Sequence, residues 1–203
     1  METSAPQEPR PAATVIAARD ADDGIEVLVL RRSAGSRFLP GYVVFPGGAV
    51  DAGDAELARR WFRDSEEATR ACAVRELAEE TGLALTSSGL RAHSGATIDE
   101  APPAAEALRQ ISHWIAPEEV PVRFDARFFA LSASRGVEPT ADGAEAEHAW
   151  WADPRALLRE YEEGTTSLYW PTFKLTEALA RCSSVEDVLA LDVPQDDGYE
   201  DEE

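Results

Sequence analysis

Arg75-Glu76-Leu77-Ala78-Glu79-Glu80-Thr81-Gly82-Leu83 is the stretch on which the reading of this chain turns. The apolar spacing of Ala68, Ala71, Cys72, Leu77 and Ala78 predicts a helix. Asp64 serves as its cap, with Glu67 three residues on, and Gly82 is a good stop. On that helix Glu76, Glu79 and Glu80 stand at i, i+3 and i+4 and share one face. Like charges so placed cost about 0.2–0.5 kcal/mol per pair, and they occupy the last turns, where the helix dipole favours cations. Two local rules broken together mark a place where function is expected. Clustered oxygen donors suit a hard cation such as Mg²⁺. An acidic chain also throws up acidic helix faces that are merely solvated, and three bare glutamates do not separate the two readings.

Upstream, Thr14 to Arg19 and Ile25 to Arg32 read as strands joined through Asp22-Asp23-Gly24, a hairpin. A loop over 33–41 leads to the apolar strand Tyr42-Val43-Val44-Phe45, cut off by Pro46-Gly47-Gly48. A Gly/Asp turn and a short helix from Ala55 to Phe62 precede the main helix. Downstream, Arg123 to Leu131 and Glu147 to Ala152 read as strands. Pro154, Pro171 and Ser184 each start a helix. Interleaved strands and helices of this kind make the class α/β with a mixed sheet.

Composition closes off other classes. The 203 residues are 44% hydrophobic, enough for one core, and carry a net charge of −20. That charge argues against a nucleic-acid partner. No run approaches the ~20 apolar residues of a membrane span, and the N-terminus lacks the pattern of a secretory signal, so a cytoplasmic protein is expected. Cys72 and Cys182 are too few and too far apart for a disulfide framework or a metal pair. Residues 1–12 and the acidic stretch 192–203 are expected to be disordered tails flanking a domain at 13–191, the second of them dispensable.

The helix segment matches the Nudix hydrolase signature R-E-U-x-E-E-x-G-U (U aliphatic) at every fixed position. Chance would produce it on the order of once in ten thousand chains of this composition. Glu67 adds the family's E-x7-R spacing, and Phe45-Pro46-Gly47-Gly48 resembles the glycine pair that opens the box. One departure stands out. The family has five residues between that glycine and the first glutamate, whereas Glu67 lies far beyond and Asp54 occupies the strict position. Either the box at 47–83 carries an insertion at about 49–66 ahead of Glu67, or Asp54 replaces the first glutamate and the insertion follows it.

The resemblance implies an α/β/α sandwich with a loop–helix–loop catalytic box, and hydrolysis of a nucleoside diphosphate linked to a moiety X. It implies Mg²⁺ or Mn²⁺ held by Glu76, Glu79 and Glu80, with Glu76 a ligand or water-activating base and Arg75 orienting a box glutamate. Gly47 and Gly48 would shape the site by their backbone. Glu145, six residues before Trp151, is the candidate acid from outside the box, with Glu147 its neighbour in contention; His113 and His148 read as structural or surface residues. The segments Val29 to Ser33, Phe38 to Gly41, Val44 to Asp51 and His113 to Pro117 resemble the coenzyme A diphosphatase branch, Nudix motif 19. That branch implies coenzyme A or its acyl derivatives as substrate, with ADP-ribose or NADH as the alternative. Phe124, with Trp114, Phe128, Tyr169 and Trp170, is a candidate to stack on a base. Arg31 and Arg37, with Arg123, are candidates for phosphate. Aromatics also dominate cores, so each competes with a packing role. A non-catalytic nucleotide sensor and an isomerase on the same scaffold are the other classes, and the family admits homodimers.

Overall fold

The computed structural model describes residues 8–93, 105–120 and 122–196. The first strand, β1 (Arg10–Ala21), buries Ala12, Ala13 and Val15 to Ala18, with Thr14 half-buried between them, and alternate residues serve opposite layers. Val15 and Ala17 face one core, Ile16 and Ala18 the other. A strand buried on both faces reads as a near-continuous apolar run, and Val15 to Ala18 is one. It begins at Arg10, earlier than the expected Thr14 and inside the stretch expected to be disordered. The cause is a partner distant in sequence: β8 (Phe124–Ser132) lies parallel to it from Arg10 opposite Phe124 to Ala18 opposite Ser132. Residues 1–7 and 197–203 lie outside the described residues, so the ends of both expected tails do too.

β2 (Gly24–Arg32) forms the expected hairpin with β1, but the two are paired only where Ala18–Ala21 meets Gly24–Val27. Beyond that they diverge, and the opening is filled by the chain that leads into the box. β3 (Val43–Val44) takes the vacated edge of β2, and β4 (Gly47–Ala49) the vacated edge of β1. β4 is absent from the sequence reading, in which Gly47 and Gly48 end a strand. A Cβ on Gly47 would lie 2.4 Å from the Ala13 carbonyl oxygen, so the close pairing with β1 demands the residue type that strand propensity disfavours.

α1 (Asp54–Phe62) and a single 3-10 turn (Ser65–Glu67) precede α2 (Ala68–Thr81). Asp64 accepts from the Glu66 N–H, so it caps that turn while the helix proper starts at Ala68. Gly82 closes α2 at φ 62°, donating its N–H to Ala78 O at 3.0 Å. A small hairpin follows, β5 (Leu83–Thr86) and β6 (Gly89–Ala92). β7 (Arg109–Ile115) then pairs antiparallel with β8, and β9 (Ala146–Ala152) with the outer edge of β2. α3 (Pro154–Glu162), α4 (Trp170–Leu179) and α5 (Val185–Leu189) complete the chain of elements.

α2 packs Ala71, Cys72, Val74 and Leu77 against Val15, Leu28, Phe129 and Leu131 on one face of the sheet. On the other face Leu157, Leu175, Leu179 and Val188 cover Ile16, Val27, Val29 and Phe128. The result is the α/β/α sandwich. After α5 the chain does not leave the body. Val193 donates its N–H to Ile111 O at 2.8 Å, and the Ser112 hydroxyl donates to Val193 O at 2.6 Å, so residues 192–196 run along β7 instead of leaving as the start of a disordered tail. A strand at the edge of a sheet has unpaired backbone groups to offer, and here the C-terminal segment takes them.

Candidate active site

The last two turns of α2 meet the loop through Gly47 and Gly48, and this meeting builds one end of a cleft of about 1100 Å³. Arg75 is the organiser. Its Nε and Nη2 donate to the two carboxylate oxygens of Asp54 at 2.8 and 3.0 Å, while Nη1 donates to Glu76 at 2.8 Å and Glu79 at 2.9 Å. Asp54 is fully buried and also accepts the Asp51 N–H at 2.7 Å. These hydrogen bonds from Asp54 are the largest influence raising the Arg75 pKa, so the guanidinium stays charged. Asp54, at the strict spacing from Gly48, is thus the acid that meets Arg75, with the rest of α1 and the 3-10 turn following it. Glu67 points elsewhere and pairs with Arg70.

Glu80 is 4% exposed and accepts the Gly47 N–H at 2.9 Å. Burial pushes its carboxyl up to about 8, against the lowering effect of that hydrogen bond and with a further push from Glu76. Burial likewise raises Glu76 above the usual carboxylate range, opposed by Arg75. Gly48 makes room for Glu76: a Cβ there would lie 2.4 Å from its Oε1. Cys72, beside Gly48 on the buried face of α2, has its thiol pushed up by burial and serves packing.

Glu145 lines the same end of the cleft, exposed, with its carboxylate 3.9 Å from Arg32 Nη2. The loop that carries it is anchored by Asp142, which accepts the N–H groups of Ala144, Glu145 and Ala146. Glu147 instead accepts from Ala34 N at 3.0 Å and pins the neighbouring loop. His113 bonds to Asp125, and His148 lies against Trp150 with ring centroids 5.3 Å apart. Neither histidine is among the described residues lining the cleft.

Of the candidate phosphate groups, Arg31 reaches Thr166 and the Trp150 face, and Arg37 is exposed in its loop; neither lines the cleft, nor does Arg123. Arg32 does, held by the Phe38 carbonyl at 2.9 Å. Adjacent strand residues face opposite ways, and only the structure says which of the two arginines faces inward. Phe124 lines the cleft from β8, 5.8 Å centroid to centroid from Phe38, which sits 5.9 Å from Tyr169 in turn. Trp114, Ile115, Val122 and Trp170 extend this apolar end. Phe38, Ile115 and Val122 are large apolar side chains left 39%, 41% and 50% exposed, and they gather at this one place. A grouping of exposed apolar side chains marks a binding surface more often than chance.

A NUDIX domain model matches residues 8–173. The chain belongs to the Nudix family. A Nudix hydrolase of Alicyclobacillus acidocaldarius superposes with a TM-score of 0.76 at 33% identity, over 93% of this chain and 99% of its own. The putative nudix hydrolase 7 of Caenorhabditis elegans is 30% identical in an alignment 182 positions long that covers 79% of this chain; the match spans only 57% of that relative's length. The NUDIX domain of Shewanella oneidensis NrtR, crystallised with ADP ribose, shares the fold with a TM-score of 0.55 at 16% identity, over 86% of this chain and 88% of its own.

Nudix hydrolases generally use divalent metal ions. The residues fit such a cation by the chemistry of the donor set: Glu76, Glu79 and Glu80 are hard oxygen donors, two of them destabilised as anions by burial. Among the described residues no three acidic, histidine or cysteine groups converge at ligand distance, since Arg75 holds Glu76 and Glu79 while Glu80 is turned to Gly47.

Proposed function

We propose that the protein is a Mg²⁺- or Mn²⁺-dependent pyrophosphohydrolase that cleaves the diphosphate of coenzyme A or an acyl-coenzyme A, releasing 3′,5′-ADP and the phosphopantetheine half. The observation that carries the reading is one cleft with the box carboxylates Glu76 and Glu79 at one end, Glu80 buried beside them against the Gly47 N–H, and an aromatic surface at the other end. A diphosphate bearing a nucleoside on one side and a long organic arm on the other needs both. The lead-in Phe38 to Gly41 and Val44 to Asp51, which resembles the coenzyme A branch, supports the choice of substrate.

Glu76, Glu79 and Glu80 would hold the cation, which when bound neutralises the diphosphate and acidifies a water. Arg75 keeps Glu76 and Glu79 presented to one side of α2. Arg32, lining the carboxylate end of the cleft near Glu145, would meet the diphosphate as the inward-facing cation. Glu145, exposed at the same end of the cleft, would accept the proton of the attacking water. Positioning and electrostatics supply most of the acceleration in phosphoryl chemistry, so a rigid frame matters more than any one acid.

The test incubates purified protein and Mg²⁺ with coenzyme A, acetyl-coenzyme A, ADP-ribose, NADH and nucleoside triphosphates, with products read by mass spectrometry. Appearance of 3′,5′-ADP from coenzyme A, suppressed by EDTA, is the expected result. Turnover of ADP-ribose or NADH without coenzyme A replaces the substrate and keeps the chemistry. Nucleotide binding with no EDTA-sensitive product overturns the hydrolase reading in favour of a sensor.

A further inference from the structure

The C-terminal segment does more than cover an edge strand. Gln195 clamps the end of β7 with its carboxamide, accepting the Ile115 N–H at 2.8 Å and donating to Ile115 O at 3.0 Å. Asp196 then crosses to α4: its carbonyl accepts from Trp170 Nε1 at 3.3 Å, and its carboxylate lies 3.2 Å from Lys174 Nζ. The segment is thus tied at both sides of the apolar end of the cleft, and Gln195 and Asp196 themselves line it.

The charge there is distinctive. Among the described residues that line the cleft, the cations are Arg32 and Arg75, and both belong to the carboxylate end. The apolar end has Asp196 and Glu119 instead. Lys174 beneath it is shared between Glu177 at 2.7 Å and Asp196 at 3.2 Å, so one ammonium faces two carboxylates. A substrate group entering this end meets aromatic rings, an engaged carboxamide and net negative charge. An anion there would be desolvated beside Asp196 and Glu119, with Lys174 already shared by two carboxylates and Arg123 Nε held by the Ala116 carbonyl, which is costly.

We propose that Gln195 and Asp196 are specificity-determining residues: they complete the aromatic end of the cleft and admit there an uncharged group of the substrate while rejecting one that carries a carboxylate or phosphate. The proposal rests on the pyrophosphohydrolase reading and sharpens its choice of substrate, placing a neutral acyl-pantetheine arm on Phe38, Phe124 and Tyr169.

Full-length protein with Mg²⁺ is assayed on butyryl- and succinyl-coenzyme A, thioesters of equal chain length that differ by a terminal carboxylate. The wild type is expected to favour the butyryl ester by about tenfold in kcat/KM, since like charges brought together are strongly disfavoured. Asp196→Lys is expected to cut that preference to about twofold or less, through KM for the succinyl ester. Asp196→Asn, which removes charge without adding bulk, is expected to give an intermediate ratio and guards against misfolding of the first variant. Gln195→Ala is expected to raise KM for the butyryl ester about fivefold, the loss falling on KM and not on kcat. Equal kcat/KM for the two esters in the wild type, or an unchanged ratio in both Asp196 variants at unchanged melting temperature, overturns the proposal. Should neither ester be cleaved while NADH is, the coenzyme A assignment fails separately. The role of Asp196 is then judged on NADH against NADPH, which differ by one phosphate: a preference for NADH that Asp196→Lys narrows upholds it, and equal rates overturn it.

Discussion

The two ends of the cleft are assembled in opposite ways. The carboxylate end comes mainly from one continuous stretch, Gly47 to Glu80, with a single guanidinium tying Asp54, Glu76 and Glu79 together and with Arg32 and Glu145 added from elsewhere. The apolar end is gathered from Phe38, β7, β8, the start of α4 and the C-terminal segment, which are far apart in the chain. Reaction chemistry demands fixed distances among a few atoms, and a short rigid element meets that demand. Selection among substrates demands a shaped surface, and separate elements can each vary without disturbing the reacting groups.

That contrast can be broken by experiment. The largest effect is expected for Glu79→Gln and Glu80→Gln, each lowering kcat on the order of a thousandfold with circular dichroism unchanged. Wild-type rates from folded variants would place the metal site elsewhere. Next, Asp54→Ala leaves the Arg75 guanidinium without its buried partner and is expected to cost about 3 kcal/mol in urea unfolding. The two glycines separate fold from chemistry. Gly47→Ala drives a methyl into the Ala13 backbone and should cost about 2 kcal/mol of stability, whereas Gly48→Ala meets the movable Glu76 carboxylate and should show in kcat before it shows in stability. A smaller effect belongs to the apolar end: Phe124→Ala should raise KM about fivefold, the scale of one aromatic contact, with kcat held. Smallest is Glu67→Ala, which removes a half-buried pair with Arg70, expected within about 1 kcal/mol and without effect on turnover. If Glu67→Ala and Asp54→Ala behaved alike, the assignment of Asp54 to the box would fall.

Legibility from sequence follows the same division. α2, its stop at Gly82 and the three carboxylates are local, periodic features, and they stand in the structure where the spacing puts them. The hairpin of β1 and β2 was equally plain from its alternating apolar runs and turn. Spacing alone leaves Asp54 and Glu67 equal because each satisfies one of the two, and the contact that separates them, Arg75 with Asp54 and Arg70 with Glu67, is a tertiary one. Arg31 and Arg32 differ by one residue, hence by one face of a strand, and β9 shifts register at that very pair. No local rule says which one turns inward. Residues 192–196 are still harder to read, since what holds them is the edge of β7, which is distant in sequence and paired on its other side with β8. The acidic composition that predicts a solvated tail is overridden once Val193 and Gln195 find backbone partners.

Lys174 gives this architecture a practical handle. It is the sequence's single lysine, and its ammonium is engaged by Glu177 and by Asp196 of the C-terminal segment. An amine-directed fluorophore or isotopic tag would therefore report from one side-chain address, at the junction where the segment crosses from the sheet to α4. Its rate of attachment measures how often that junction opens, a clock for the segment that needs neither substrate nor metal.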